Sequence, residues 1–276
     1  MAIIEVKDLQ KLFRVHKQQD GVLGALSGLF HRTIEDRKAV DGVSFAVEAG
    51  EIVGYVGPNG AGKSTTIKCL TGILVPSGGQ VSVGGLVPWI HRVKNARQIG
   101  VVFGQKTALW WDVPVIETFR LLRDIYEVPD DRFRKNLALF DDILGIGEFQ
   151  TMPVRQLSLG QRMRADLAAA LLHNPKILFL DEPTIGLDVL AKERLRTFIR
   201  EINRTDQITV LLTTHDMGDI EMLCHRIMII DRGKVIHQGS ISETIHHFAP
   251  ESTAVVDLAQ IPDGPVRVEG GVVVQV

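Results

Sequence analysis

The sequence predicts an α/β protein built on a mostly parallel sheet. Short apolar runs typical of buried strands recur along the 276-residue chain, and segments of helical period alternate with them. Strand–helix–strand alternation of this kind gives a parallel sheet with helices on its faces. Between residues 113 and 164 an amphipathic helical stretch interrupts the alternation, and we expect it to stand out as a lobe of its own.

The individual elements follow from apolar runs bounded by turn residues. Residues 3–13 alternate as a half-buried strand does, and residues 39–57 hold two strands around the turn at Ala49–Gly50. Residues 76–85 are rich in glycine and are predicted as turns. Further strands, almost wholly apolar, are predicted at 99–105, 177–182, 208–215 and 226–233. Helices are predicted at 62–70, 161–172, 189–203 and 216–224, and the helical lobe should break at Pro129, Gly145–Gly147 and Pro153.

Two segments differ from this core. Residues 14–38 carry apolar side chains at helical spacing among basic ones, and residues 246–276 are β-like and punctuated by Gly and Pro. We expect the second segment to form a small C-terminal sheet, or part of one if the sequence stops short of the natural end. The helically spaced residues of the first segment are Val22, Leu23, Leu26, Leu29 and Phe30.

Composition limits the function classes. The net charge is −2, from 31 basic and 33 acidic residues, which argues against a general nucleic-acid binder. Cys69 and Cys224 lie in apolar segments and are interpreted as buried free thiols in a reducing compartment. The N-terminus lacks a signal core, and no apolar run approaches the roughly 18–20 residues that span a bilayer. We therefore expect a cytoplasmic protein whose membrane role, if any, comes through a partner.

The strongest chemical signal is the stretch 57-GPNGAGKST-65, which follows an apolar strand and opens a helix. It matches the P-loop pattern, in which glycines let backbone N–H groups wrap phosphates and the helix N-terminus adds a positive dipole. Lys63 is expected to reach the β- and γ-phosphates, and Ser64 to ligate Mg²⁺. The predicted nucleotide contacts are Gly57, Pro58, Asn59, Gly60, Ala61, Gly62, Lys63, Ser64 and Thr65.

An acidic pair ends the strand in 177-ILFLDEP-183. Four apolar residues place Asp181 at the carboxyl edge of the sheet, where ligands bind in parallel sheets. Asp181 suits Mg²⁺, directly or through water, and Glu182 could polarise an attacking water as general base. The plainer interpretation is a strand end with a solvated acidic pair.

Three further polar residues are predicted at the same edge. Gln105 ends one strand and could bind Mg²⁺ or water, and His215 ends another and could hydrogen-bond the γ-phosphate. Asp188 follows Glu182 by six residues. Singly, each has a plain structural interpretation as a strand end or a helix N-cap. Together they lie where Lys63 and Asp181 are expected to converge.

A second anion site is indicated by 155-RQLSLGQRMR-164, where Ser158 and Gly160 stand at the start of a helix. The motifs GPNGAGKST, VVFGQ, LSLGQ, ILFLDEP, GLD and TTH occur in this order, and over about residues 1–240 the sequence resembles the nucleotide-binding subunits of ABC transporters. The resemblance implies a P-loop NTPase of ABC ATPase type within residues 1–245. It also implies a RecA-like core, an antiparallel β subdomain and a helical subdomain at about 109–165.

The resemblance assigns trans roles to the second site. In that family two copies pack head to tail, and the signature helix of one caps the γ-phosphate on the P-loop of the other. It thereby implies that Ser158, Gly160 and Gln161 contact ATP in trans and that Asp188 crosses the interface. Phe13 matches the family's aromatic residue that stacks on adenine. One position departs from the common Gly-Gly pattern: Leu159 adds bulk that faces either the helical lobe or the interface.

A finer resemblance is to ATPases of bacterial ABC-2-type exporters. It implies that the segment after Gln105 docks a membrane permease, with Leu109, Trp110 and Trp111 as surface anchors. The tryptophans could equally pack the lobe. Residues 14–38 resemble the extra helix of polysaccharide-exporter ATPases and are either a second permease contact or a surface embellishment.

These features favour an ATP- and Mg²⁺-dependent exporter motor, held by its permease at the inner face of the cell membrane. A soluble ABC ATPase acting on DNA or ribosomes is the alternative. Lys63 and Ser158 are only 95 residues apart, and the sequence between them lacks the sustained heptads that chromosome-type members carry there. Translation-type members carry two cassettes, and this chain has one. A P-loop kinase or GTPase leaves the signature and His215 unexplained.

Overall fold

The computed structural model describes residues 2–16, 34–104 and 106–248, and these contain two sheets and eight helices. The strands are β1 (Ala2–His16), β2 (Ile34–Glu48), β3 (Ile52–Val56), β4 (Gly78–Val83), β5 (Ile99–Phe103), β6 (Ile177–Asp181), β7 (Thr209–Thr213), β8 (Arg226–Asp231) and β9 (Lys234–Ser240). The helices are α1 (Lys63–Leu70), α2 (Arg92–Gln98), α3 (Val115–Ile125), α4 (Asp130–Leu144), α5 (Leu159–Leu171), α6 (Val189–Asp206), α7 (Met217–Leu223) and α8 (Ile241–Phe248).

The larger sheet has six strands in the order β5-β6-β7-β3-β8-β9. All are parallel except β9, which pairs with β8 in antiparallel fashion. In the central register Phe103 lies opposite Asp181, and Asp181 lies opposite Thr213. The polar ends of three strands therefore meet at one edge, as expected for a ligand site in a parallel sheet.

Both faces of this sheet are covered. Along β6, Ile177 and Phe179 point to one apolar cluster while Leu178 and Leu180 point to another. The first cluster also holds α1 and the inner face of a three-stranded antiparallel sheet, β2-β1-β4. Helix α1 is thus sandwiched between the two sheets, which fixes the direction in which its N-terminus points.

The second cluster joins the predicted helical lobe to the underside of the sheet. Phe119, Phe133 and Phe140 of α3 and α4 belong to the same cluster as Leu180. The ring of Phe140 meets that of Phe198 on α6 edge-on, at a centroid distance of 6.1 Å. The lobe therefore shares its core with the sheet.

The prediction of turns at 76–85 is wrong for its middle part, which forms β4. Val81 and Val83 pair with Val6 and Ile4 of β1. The hydrogen bonds to this neighbouring strand stabilise β4, and the glycine-rich sequence gives no sign of them. At Gly79, where φ is +85°, a Cβ would lie 2.1 Å from the carbonyl oxygen of Asp8. The glycine is needed for this close approach.

Segment ends also differ from prediction. Residues 14–16 and 34–38 continue strands β1 and β2, and the rest of the predicted helical segment lies outside the described residues. Residues 246–248, expected in the β-like extension, complete α8, because Ser240 and Glu243 form a capping box at its start. The remainder of that extension also lies outside the described part. Strand β9 and helix α2 are elements for which no prediction was made.

The two cysteines are free and buried, as predicted. Burial raises the pKa of the Cys69 thiol to about 11 and that of Cys224 to about 12, so both are held as thiols. Within the ranges that the structure describes, no helix has the length and apolarity to cross a bilayer.

A buried ion pair ties α6 to α7. Asp219 is 0% exposed. Its Oδ1 accepts a 2.7 Å hydrogen bond from Arg196 Nε and lies 2.7 Å from Arg196 Nη2. Its Oδ2 accepts from the hydroxyls of Thr184 and Thr214 at 2.5 and 2.9 Å. Asp219 therefore links the loops that follow β6 and β7, the two strands whose ends form the site.

Replacing Arg196 by Met should lower the free energy of unfolding by about 3–5 kcal/mol, because it leaves the Asp219 carboxylate buried without its cation. Urea denaturation at neutral pH measures the change. Arg204→Met on the same helix is the matched control, since the Arg204–Glu201 pair is exposed and should contribute little. Equal effects of the two substitutions would contradict the role given to Asp219.

Candidate functional site

The loop between β3 and α1 is the predicted phosphate cradle, and two of its three glycines are packed against backbone. A Cβ on Gly57 would lie 2.0 Å from the carbonyl oxygen of Ile230, and one on Gly62 would lie 2.4 Å from that of Ala39. Gly62 also has a left-handed φ of 111° and begins α1 without a side-chain cap. The first N–H groups of the helix are thereby left for an anion.

Lys63 is buried at the start of α1, inside the loop that it belongs to. Its ammonium donates to the carbonyl oxygens of Gly57 and Pro58, at 2.7 and 3.1 Å. Burial lowers the pKa of this amine, and the negative charges of Glu182 and Asp181 oppose the shift. The ammonium thus stands at the centre of the cradle, with two carboxylates near enough to influence it.

Asp181, at the end of β6, is joined to the cradle and to the neighbouring strand. Its Oδ1 accepts a hydrogen bond from the Ser64 hydroxyl at 3.1 Å and another from the Thr213 hydroxyl at 2.6 Å. The Ser64 hydroxyl and the Asp181 carboxylate are hard oxygen donors of the kind that Mg²⁺ takes beside phosphate oxygens. The donor set therefore fits Mg²⁺.

Glu182 has an unusual backbone conformation. Its φ is +55°, which for a residue other than glycine costs roughly 1–3 kcal/mol. The conformation is held because Glu182 N–H donates to both the carbonyl and the hydroxyl of Thr213. A Cβ on Gly104 would lie 2.1 Å from the Glu182 carbonyl oxygen. The Glu182 carboxylate meets His215 Nε2 at 2.5 Å.

The structure therefore brings Lys63, Ser64, Asp181, Glu182 and His215 to one edge of the sheet. The pairing of His215 with Glu182 places the predicted γ-phosphate contact beside the predicted base. These roles remain predictions.

The predicted second anion site lies at the exposed N-terminus of α5. Ser158 caps the helix: its hydroxyl accepts from Gln161 N–H at 3.2 Å, and its own N–H donates to the Gln161 side chain at 2.9 Å. Gly160 faces Ala191 of α6, since a Cβ there would lie 3.5 Å from the Ala191 methyl. The start of α5 thus packs beside the start of α6.

Leu159 settles beside a loop of its own chain. A Cβ on Gly186, which has a φ of +71°, would lie 2.8 Å from Leu159 Cδ2. The leucine contacts the loop between β6 and α6 of its own chain, and the expectation that it faces the helical lobe or the interface stays a prediction. Gly186 makes room for the bulk that replaces the common glycine.

The remaining predicted residues have these positions. Asp188 is the N-cap of α6 and accepts from Ala191 N–H at 2.8 Å, while remaining exposed. Phe13 lies on β1 opposite Arg37, with the Lys11 ammonium 5.3 Å from its ring centroid. Ala39, two residues beyond Arg37, touches the cradle at Gly62, so Phe13 lies along the strand pair that backs the cradle. Gln105 lies outside the described residues.

Sequence reasoning missed Thr213 and Gly104. Thr213 both donates to Asp181 and accepts from Glu182 N–H, and Gly104 admits the Glu182 backbone. Thr213 could have been found from the sequence, because it ends an apolar run in the same way that Asp181 ends 177-ILFLD-181. Parallel neighbours of equal length align such ends.

The fold and site define a P-loop ATPase. A family model described as ABC transporter matches residues 40–185. The linearmycin resistance ATP-binding protein LnrL of Bacillus subtilis (strain 168) is 35% identical over 73% of this chain and 64% of its own length. The ABC transporter ATP-binding protein NatA of the same strain is 30% identical over 82% of this chain and 92% of its own. The probable multidrug ABC transporter ATP-binding protein YbhF of Escherichia coli (strain K12) is 38% identical over 74% of this chain, which spans 35% of YbhF.

Solved structures agree with this assignment. An ATP-binding subunit of an ABC transporter superposes with a TM-score of 0.74 at 25% identity, covering 89% of this chain and 93% of the other. The ATP-binding cassette MJ0796, in a dimeric post-hydrolysis state bound to ADP and Pi, gives a TM-score of 0.71 at 25% identity, over 86% and 98% of the two chains. The chain therefore belongs to the ABC transporter family, as an ATP-binding subunit with the site of an ATPase.

Replacing Thr213 by Val should lower either the affinity for Mg²⁺ in ATP hydrolysis or the rate of hydrolysis by about 10- to 100-fold. The reason is that the side chain that orients Asp181 loses its hydroxyl. Titration of hydrolysis with Mg²⁺ measures the effect. Thr213→Ser retains the hydroxyl and should stay close to the unsubstituted protein. An unchanged Mg²⁺ titration in the valine variant would show that Asp181 needs no such support.

Proposed function

We propose that this chain is the ATP-hydrolysing motor of a membrane exporter and works as a dimer that encloses two Mg·ATP. One observation carries the proposal: the chain has two anion-binding elements with different surroundings. The ammonium of Lys63 is buried in its own cradle, whereas Ser158 is exposed at the tip of α5. A second copy in head-to-tail arrangement would give each exposed tip a cradle to close. The ATPase domain is proposed to span residues 1–245, with residues 109–165 as its helical subdomain.

The site residues suggest a division of labour for hydrolysis. Lys63 and the N–H groups of α1 bind the phosphates, and Ser64 with Asp181 is the set that would hold Mg²⁺. When bound, Mg²⁺ would offset the negative charge of the β- and γ-phosphate oxygens. Glu182 accepts a proton from the attacking water, and His215, at 2.5 Å, orients its carboxylate. Gln105 is proposed as a further contact to Mg²⁺ or water.

The dimer supplies the remaining contacts from the other copy. Ser158, Gly160 and Gln161 cap the γ-phosphate in trans, and Asp188 reaches across the interface from the start of α6. Phe13 stacks on adenine. Loss of the γ-phosphate on hydrolysis removes the group shared by the two copies, so the dimer opens.

The direction of transport is proposed from the relatives. LnrL is named a linearmycin resistance ATP-binding protein, and YbhF a probable multidrug ABC transporter ATP-binding protein. Methionine import proteins MetN also match, at 34% identity over 80% of this chain. We propose export, because segment 106–114 resembles the corresponding segment of ABC-2-type exporters. The chain is then peripheral to the inner face of the membrane.

Replacing Glu182 by Gln should lower hydrolysis by about 10²- to 10⁴-fold while leaving ATP binding intact, because only the base is removed. With Mg·ATP the variant should elute as a stable dimer. Light scattering with a hydrolysis assay measures both properties. Glu201→Gln, on the exposed face of α6, is the control and should behave as the unsubstituted chain. A glutamine variant that hydrolyses ATP normally would disprove the assignment.

The proposed permease contact rests on two exposed tryptophans. Trp110 is 44% exposed and Trp111 49% exposed, so they do not fill the core of the lobe. Leu109, expected beside them at the surface, is instead buried in the cluster under the sheet. Its N–H donates to the Thr107 hydroxyl. The tryptophans are the aromatic anchors that interfaces favour.

Replacing Trp110 and Trp111 together by Ala should abolish binding to the permease while sparing ATP hydrolysis by the isolated chain. Two quantities are measured with solubilised membranes of the same cell. One is the stimulation of ATP hydrolysis by integral membrane proteins, and the other is the retention of those proteins by the immobilised chain. A pair of equally exposed apolar residues at the opposite edge of the sheet, Ile236 and Ile245, provides the matched double-alanine control. Loss of soluble ATPase activity in the tryptophan variant would favour a packing role.

A further inference from the structure

A buried carboxylate lies in the middle of the signature helix α5. Asp166 is only 7% exposed, eight residues after Ser158. Its Oδ1 accepts two hydrogen bonds of 2.9 Å, from the Thr107 hydroxyl and from Ala108 N–H. The Thr107 hydroxyl in turn accepts from Leu109 N–H at 3.1 Å. One side chain of α5 thus holds the start of the segment that leads to the tryptophans.

The same region makes further contacts to the tryptophan segment. The Arg162 guanidinium, one turn before Asp166, lies 5.8 Å from the centroid of the Trp111 ring. Just before the helix, Arg155 N–H donates to the Trp111 carbonyl oxygen at 3.0 Å, and its guanidinium pairs with Asp112 at 2.6 Å. Segment 107–112 therefore packs against α5 and the residues just before it, and Asp166 makes the buried hydrogen bonds of this contact.

Stability alone does not account for a carboxylate at this position. Burial raises the pKa of Asp166 to about 6, against the effects of its two donors and of Arg162, so the charged form is costly there. An apolar side chain in a buried site is often as stable as a buried charge, or more so. The carboxylate instead provides directional attachment to another segment, through one O–H donor and one N–H donor.

We propose that Asp166 is a positioning residue that joins the tryptophan surface to the signature helix, so that docking at Trp110 and Trp111 moves the helix end that bears Ser158. This inference rests on the proposed function, because it adds the connection between the permease contact and the ATP contact. By thermodynamic reciprocity, ATP bound at Ser158 must also alter the surroundings of the tryptophans. The isolated chain can therefore report the connection without its permease.

The test uses tryptophan fluorescence. Changing Trp89 to Phe leaves Trp110 and Trp111 as the only tryptophans. The protein also carries Glu182→Gln, which is expected to retain ATP. Addition of Mg·ATP should shift the emission maximum and the acrylamide quenching of this protein. In the Asp166→Leu form the shift should be lost, while ATP binding measured by equilibrium dialysis is unchanged. A residue that merely supported the fold would not separate these two readouts.

A second variant approaches the same bond from its other end. Thr107→Val removes one donor and leaves Asp166 in place, so it tests the connection even if the leucine variant fails to fold. It should reduce the fluorescence shift, and combining it with Asp166→Asn should reduce the shift by less than the sum of the two separate effects. Thr205→Val, at an exposed site on α6, is the control and should leave the shift intact.

The outcomes are distinguishable. Light scattering on the same samples shows whether Mg·ATP forms the dimer. If the dimer forms and the Asp166→Leu form keeps the full fluorescence shift, or if the effects of Thr107→Val and Asp166→Asn simply add, the positioning role is overturned and the motor function stands. If no dimer forms, both proposals fall.

Discussion

The double hydrogen bond of Thr213 is the contact on which the arrangement of the site depends. One hydroxyl donates to the Asp181 carboxylate and accepts from Glu182 N–H, so a single atom sets the positions of two consecutive acidic residues on the next strand. Glu182 has a left-handed backbone, and its carboxylate contacts His215, whereas that of Asp181 contacts Thr213. Without this bridge the strained conformation would relax, and the separate roles proposed for the two carboxylates would lose their structural support.

The bridge works because of the register of the parallel sheet. Asp181 lies opposite Thr213, and each follows a run of buried apolar residues. The apolar clusters on the two faces of the sheet hold these runs in register. A shift by one residue would turn every side chain of β6 to the wrong face. The geometry of the edge is therefore maintained by burial far from it.

The sequence predicted most of the parallel sheet, because its strands are apolar runs that need no partner to be recognised. Strand β4 was missed because its ladder comes from β1, and a glycine-rich sequence does not show that partner. The cradle and the acidic pair follow from local pattern. Thr213 depends on the register between strands, and Asp166 resembles a surface residue of an amphipathic helix until the neighbouring segment is seen to cover it. Tertiary contacts thus account for the residues that local pattern did not reveal.

The contact between Leu159 and Gly186 has a consequence for sequence variation. Gly186 has a left-handed backbone, and a Cβ there would lie 2.8 Å from Leu159 Cδ2. The space between the two positions is filled by the Leu159 side chain. It lies where the signature helix α5 contacts the loop that follows Asp181 and Glu182. We therefore expect substitutions at them to be coupled: with glycine in place of Leu159, only the strain of the left-handed backbone opposes a side chain at position 186, whereas with leucine the two side chains also collide.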